Sequence, residues 1–514
     1  MKIVSLKLFN FRGFKNETII NFDDLTALVG KNDIGKSTIL EALDIFFNDG
    51  KGVVKIDKND VNIENAHAGN VETIISVVFK ELPENILIDS AVNTTLKSEY
   101  MLNKESNLEI IKKYRNGGNV KVYIKAYHPT NPICSDLLLK KNNELKSIIR
   151  AENIECENQS INSIMRKAIW NNYKNDLQLN EIEIDVAKED AKRIWDKLVL
   201  LLPVYTLFQS DRKNTDSDSE VQDPLKEAVK EILSNESLQE KLTEVAEEVR
   251  QKLQEVSDRT LAKLREMDEQ LADSLKPVIP DVSLLKWPDV FKNVSIAGDS
   301  DIPINKRGSG VKRLILLNFF RAEAERKAIE SSNSNIIYAI EEPETSQHTN
   351  NQVTLINALK AMVSHGTSQV IISTHSAVIV KELDFSNLRI IKNDVNNNNK
   401  EILDALPGQL TYPSLNEVNY TAFGEITEEY HDELYGHIEF LGLLQDYKQG
   451  KTTRLYKRQR KDGSIVNEQK ILSEYIRNLI HHPENKFNMP YTKEELKKSI
   501  DSMRDFINTK KENE

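Results

Sequence analysis

Cysteine is nearly absent: Cys134 and Cys156 are the two thiols in 514 residues. That excludes a disulfide framework of several bridges and a four-cysteine zinc site, and a reducing cytoplasm is the expected home. Long hydrophobic runs are missing too. No stretch reaches the ~18 uncharged apolar residues that a membrane span needs, so no membrane partner is expected. The opening MKIVSLKLFNFRGF alternates apolar and polar residues. It lacks the continuous apolar segment of a secretory leader and reads as a strand. Positive charge is in deficit, with 69 Lys and Arg against 80 Asp and Glu and a net charge of −11. That balance argues against a general polyanion binder but leaves room for a local basic groove. What the chain does have is 29% charged and 39% hydrophobic residues, the mix of a globular protein with exposed helices and two or three domains.

The hydrophobic pattern divides the chain into five parts. Residues 1–80 read as strands around one glycine-rich loop and a helix, the N-terminal lobe of an α/β domain. Residues 81–223 mix polar stretches with apolar runs and read as an insertion region with several helices. Residues 224–276 are highly charged, with Ile232, Val245, Val249, Leu253, Leu261, Leu264 and Leu271 among their apolar positions, many at three and four spacings. They suit either a helical arm or a pair of amphipathic helices packed on the core, with a polar break at SNES from Ser234. The α/β pattern returns over 277–400, and 401–514 reads as a helical, polar domain.

Four motifs carry chemistry. The first is GKNDIGKST, Gly30 to Thr38, which fits G-x-x-x-x-G-K-[ST] between a buried strand and a helix. Such a match arises by chance on the order of 0.02 times in a chain this long, so the segment is taken as a phosphate-binding loop. Gly30 and Gly35 let the backbone amides, including that of Asn32, curl around phosphates; Lys36 supplies positive charge, and Ser37 and Thr38 open the helix whose positive end faces the anion. ATP with Mg²⁺ is the expected ligand, and Ser37 offers the metal a hydroxyl.

The second is NIIYAIEEPETSQH, Asn335 to His348, a buried strand that ends in carboxylates. Glu341 is the candidate for Mg²⁺ and Glu342 for positioning and deprotonating a water. The third, SQVIISTHSAVI, places Thr374, His375 and Ser376 at another strand end, where an imidazole can reach a terminal phosphate or serve as an ordinary structural hydrogen-bonder. The fourth is KRGSGVKRLILL, Lys306 to Leu317, where Gly308, Ser309 and Gly310 form either an anion-binding helix start or a plain N-cap.

The order of these motifs resembles the ABC-type ATPase heads of RecF, SMC-like and OLD-family proteins. The likeness extends to LKLFNFRGF and EALDIFF, and covers about 1–80 and 300–395. It implies an α/β fold: an ABC-type P-loop head with a helical insertion arm and a mostly α-helical C-terminal region. It implies that Ser309 and Gly310 contact the γ-phosphate of ATP held by a second subunit, in a homodimer or higher homo-oligomer of ATP-sandwiched heads. His375 becomes the switch histidine. The sequence departs from the OLD pattern after EEPE, where Thr345, Ser346, Gln347 and His348 follow, and nothing past residue 395 resembles a Toprim nuclease. Heads of this kind without a nuclease resemble the ATPase subunits of Septu- and PARIS-type anti-phage systems, which implies a separately encoded nuclease partner and DNA or RNA as a ligand. A RecF-like repair ATPase is the other reading that the likeness allows.

Two features of the tail remain. KTTRLYKRQRKDG holds Arg454, Lys457, Arg458 and Arg460, which suit nucleic-acid phosphates or a solvated hairpin tip. EYIRNLIHHPEN places Arg477 and His482 in a pattern similar to that of HEPN ribonucleases, or caps a helix before Pro483.

Overall fold

The computed structural model describes residues 1–83, 86–89, 92–209, 233, 236–267, 325, 335–364, 366, 368–394, 399–407, 410–460 and 462–512. Ser309, Gly310, Ile232 and Leu271 lie outside them. The chain forms two compact units, 1–210 with 323–514, and 211–322.

In the larger unit the elements run β1 (Lys2–Phe9), β2 (Thr18–Asn21), β3 (Leu25–Val29), α1 (Lys36–Asn48), α2 (Ile63–His67), β4 (Glu72–Lys80), then the small hairpin β5 (Ile86–Asp89) and β6 (Val92–Thr94). Strands β7 (Leu108–Arg115) and β8 (Val120–Pro129), helices α3 (Asn142–Ala151) and α4 (Asn162–Asn172), β9 (Leu179–Asp185), α5 (Glu189–Val199) and β10 (Val204–Phe208) follow. The second unit contributes α6 (Glu236–Met267), which begins within the SNES stretch, at its glutamate. At 32 residues it is about 48 Å long. Val245 and Val249 are exposed on it and Ala246 is buried.

The larger unit resumes with β11 (Ile336–Glu341), α7 (Thr349–Val363), β12 (Ser368–Thr374), α8 (Ala377–Lys381), β13 (Leu388–Asp394) and β14 (Asn399–Asp404). It ends with α9 (Leu415–Phe423), α10 (Glu428–Phe440), α11 (Leu444–Lys448), β15 (Thr453–Gln459), β16 (Ile465–Ile471), α12 (Leu472–His481) and α13 (Lys493–Glu512).

Two six-stranded sheets organise it. One is antiparallel, β2-β1-β4-β7-β8-β9. Three of its strands come from the stretch read as an insertion, so that part of 81–223 continues the sheet of the N-terminal lobe. LEIIKKYR hides as a strand because Lys112 points inward, 2% exposed, and satisfies its ammonium on the Phe46 carbonyl at 2.6 Å and on Asp49. The other sheet runs β10-β11-β12-β3-β13-β14 and is parallel except for its last strand. β3 and β11 are buried at every position, as central strands covered on both faces must be. One apolar core joins the sheets around α1, from Ile3, Leu6 and Phe79 through Leu40 and Phe46 to Ile337 and Ile371. Gln369 bonds both backbone groups of Ile3, at 2.7 and 3.0 Å, and ties the sheets directly.

The C-terminal region packs its own core of Tyr430, Leu434, Ile438, Ile476, Ile500 and Met503. It is mostly helical as expected, and the basic run forms the antiparallel hairpin β15–β16.

Candidate nucleotide site at the carboxyl edge of the parallel sheet

The five parallel strands β10, β11, β12, β3 and β13 end on one edge, where α/β sheets place ligands. β12 lies between β3 and β11, with Val29 level with Thr374 and Glu341 level with Ser373. Two strand spacings therefore separate the loop after β3 from the carboxylates after β11, about 10 Å, a gap suited to phosphate and a metal ion.

Gly30 leaves β3 at φ 156°, and a Cβ there would stand 2.7 Å from the Ile391 carbonyl oxygen, so only glycine fits. Gly35 takes φ 108° and caps α1. The loop between them carries Asn32, exposed, and ends at Lys36, which is 5% exposed. The Lys36 ammonium donates to the carbonyls of Gly30 at 2.7 Å and Lys31 at 2.8 Å. Burial pushes its pKa down, against the pull of Glu342, Glu344 and Asp33 upward. Ser37, exposed, and Thr38, half-buried, begin the helix, whose apolar face of Ile39, Leu40, Leu43 and Phe46 is locked in the core. The amide-rich end of α1 is thereby held at the sheet edge, ready for an anion.

Glu341 is the last residue of β11 and is buried. Glu342 turns away with φ 41°, a left-handed conformation that costs a non-glycine residue about 1–3 kcal/mol and recurs at functional sites. Its amide bonds the Ser373 carbonyl at 2.9 Å, which fixes the turn against β12. His375 follows β12 with Nδ1 at 3.3 Å from Glu342 Oε1 and 3.3 Å from Glu344 Oε1. Ser376 then caps α8 by accepting the Ile379 amide at 3.3 Å. The structure thus brings Lys36, Glu341, Glu342 and His375 to one edge. Glu344 is part of the same cluster and sequence reasoning gave it no role, although it stands in the EEPE motif.

Oxygen donors are the right chemistry for Mg²⁺, which takes few protein ligands and completes its shell with phosphate and water. The Ser37 hydroxyl and the buried Glu341 carboxylate fit that donor set. Among the described residues no group of three or more His, Cys, Asp or Glu side chains could hold a metal alone.

A family profile described as an AAA ATPase domain matches residues 1–380. The chain belongs to this ATPase family. Its P-loop, carboxylate strand and THS strand all lie within the matched span, and ATP is the nucleotide that the family implies. No curated protein matches the chain. Among solved structures it is similar to the SMC head bound to the C-winged helix domain of ScpA (14% identity, 78% of this chain and 97% of that one, TM-score 0.37). It is also similar to the SMC head of Thermotoga maritima (13%, 79% and 99%, TM-score 0.32). A third is an SMC head with an extended coiled coil bound to the C-terminal domain of ScpA derived from Pyrococcus furiosus (14%, 78% and 95%, TM-score 0.35). The family assignment rests on the sequence match, not on these overlaps.

The tail residues sit apart in the C-terminal core. Arg454 pairs with Glu495 at 2.8 Å and lies 3.4 Å over the Tyr475 ring, while Lys457 and Arg458 are exposed on β15 and Arg460 is exposed just past its end. Arg477 is held by Asp432 at 3.3 Å and Glu439 at 3.2 Å. The histidine that joins it on Asp432 is His481, at 2.8 Å, whereas His482 bonds Glu484 at 3.2 Å. Beside them is a cavity of about 570 Å³ lined by Tyr412, Asp432, His437 and Phe440. Among the described residues no helix is long and apolar enough to cross a membrane.

Proposed function

We propose that this AAA ATPase hydrolyses ATP with Glu342 as general base and His375 as the sensor of the terminal phosphate. The supporting observation is His375 Nδ1 lying 3.3 Å from Glu342 at the edge that also carries Lys36. The loop amides from Gly30 to Thr38 and the Lys36 ammonium bind the phosphates. Glu342 takes a proton from the attacking water, and the imidazole, with its Nδ1–H toward that carboxylate, orients it beside the γ-phosphate. Ser37 and Glu341 are the residues that would hold Mg²⁺, which when bound neutralises charge on the β- and γ-phosphates.

Two heads close head to tail over two ATP molecules, with Ser309 and Gly310 of each reaching the other's γ-phosphate. The biological role is that of an anti-phage defence subunit which holds or senses nucleic acid and controls a separately encoded nuclease. The exposed Lys457 and Arg458 on one hairpin strand, with Arg460 just past its end, support a nucleic-acid contact in an otherwise acidic chain. The test is light scattering on Glu342→Gln with and without MgATP, beside added DNA and RNA. Doubling of mass with MgATP and co-elution of a nucleic acid support the proposal. An unchanged mass together with Ser309→Arg behaving identically contradicts the sandwich.

A ribonuclease reading rests on Asp432 gathering Arg477 and His481 beside a cavity. RNA cleavage lost in His481→Ala and kept in His482→Ala would favour it; no cleavage by the wild type removes it.

A further inference from the structure

The EEPE motif carries a third carboxylate whose surroundings differ from those of the first two. Glu344 is 5% exposed. Its Oε1 accepts the Thr374 hydroxyl at 2.7 Å and the His375 amide at 2.9 Å, and lies 3.3 Å from His375 Nδ1. The Thr374 hydroxyl oxygen in turn accepts the Ser376 amide at 3.0 Å, immediately before α8. One oxygen from the end of β11 therefore fixes the whole turn that ends β12. Glu344 Oε2 is buried and accepts no hydrogen bond from the described residues. A lone buried acceptor costs about 1–3 kcal/mol.

We propose that Glu344 is a positioning residue for hydrolysis: it locks the Thr374–His375 turn and holds the imidazole against Glu342, acting on turnover only through His375. The inference rests on the ATPase reading of this site. Misplacing a catalytic group by about 1 Å costs on the order of a hundredfold, which sets the scale of the expected effect. The carboxylate makes three contacts through Oε1, and a glutamine amide oxygen can still accept the Thr374 hydroxyl and the His375 amide. Alanine can accept neither.

The test is a double-mutant cycle on ATP turnover in the full chain, with ATP affinity measured alongside and Lys36→Ala as the control for the nucleotide site. Glu344→Ala is expected to lower kcat about ten- to a hundredfold with ATP affinity within about twofold. Glu344→Gln is expected to recover most of that loss. Glu344→Ala combined with His375→Ala is expected to be no slower than His375→Ala alone, since the two act as one unit. Multiplying losses in the double variant, or a loss in affinity as large as the loss in kcat, would overturn the proposal. If wild-type turnover is absent or survives Lys36→Ala, the ATPase reading of the site fails, and the positioning role is then read from the His375 side chain itself. Its ¹⁵N-imidazole resonances should report one fixed tautomer in the wild type and an averaged one in Glu344→Ala. Identical spectra in the two proteins would refute the positioning role.

Discussion

Among the described residues three histidines lie against carboxylates, and two of them, His375 and His481, have opposite settings. His375 stands between Glu342 and Glu344, each at 3.3 Å, at the mouth of a loop built for phosphate. His481 bonds Asp432 at 2.8 Å, but the same carboxylate also holds Arg477, and Arg477 is further occupied by Glu439 and stacked 4.5 Å over Tyr435. Burial pushes the Asp432 carboxyl up, yet the hydrogen bonds and charges of His481 and Arg477 outweigh it and hold the carboxyl below its usual range. The first cluster stands at the strand ends that also carry the buried Lys36 and the glycine loop. In the second, the opposite charges answer one another and stabilise a helix pair. A histidine–carboxylate contact therefore says little by itself; what else the fold brings to the same edge separates the two settings.

The comparison can be broken in several places. The largest expected effect is at the loop: Lys36→Ala should weaken ATP affinity on the order of several hundredfold, because it strips the buried cation from the phosphates. Calorimetry with ATP checks this, and the same titration on Arg477→Ala should show no change.

Next is an effect of pH on the C-terminal core. His431 is fully buried, its Nε2 2.9 Å from Ser499 Oγ, and burial first, with Arg477 also contributing against the pull of Asp432, holds its pKa down at about 4. The folded state thus disfavours the proton that the unfolded chain takes up near pH 6.5. The stabilisation is complete above pH 6.5 and is lost as pH falls toward 4, up to about 3 kcal/mol. Thermal melts between pH 7 and 4.5 should show the fall, and His431→Gln should flatten it.

His375→Ala should lower kcat about ten- to a hundredfold with ATP binding retained. The smallest effect belongs to the surface cluster. Asp432→Asn should cost less than about 1 kcal/mol of stability, as exposed ion pairs do, and leave ATP turnover unchanged. A turnover loss in Asp432→Asn equal to that of His375→Ala would erase the distinction drawn between the clusters.

How much of this was legible depended on how local each feature is. The strand–loop–helix around Gly30 and Lys36 is encoded within a dozen consecutive residues, so its motif and its setting could be read together. The carboxylate and THS strands were readable for the same reason, as apolar runs that end in polar residues. Glu344 was not, because its role exists only where β11 and β12 pair, joining residues 30 and 31 positions apart. The strands of 108–185 were obscured by buried charges such as Lys112 and Glu109, whose partners Asp49 and Lys7 are distant in sequence. The basic run announced itself by composition. Its pairing into a hairpin, with Arg454 on Tyr475 and Glu495, required the fold.

The most direct test of the account is steady-state ATP hydrolysis by Glu342→Gln against the wild type, with ATP affinity measured in the same preparations. Glutamine keeps the shape of the side chain and removes its basicity. The account predicts a fall in turnover of at least about a hundredfold, with affinity preserved. Turnover equal to the wild type would mean that the water is activated elsewhere and that the edge carrying Glu342 and His375 is not the hydrolytic centre.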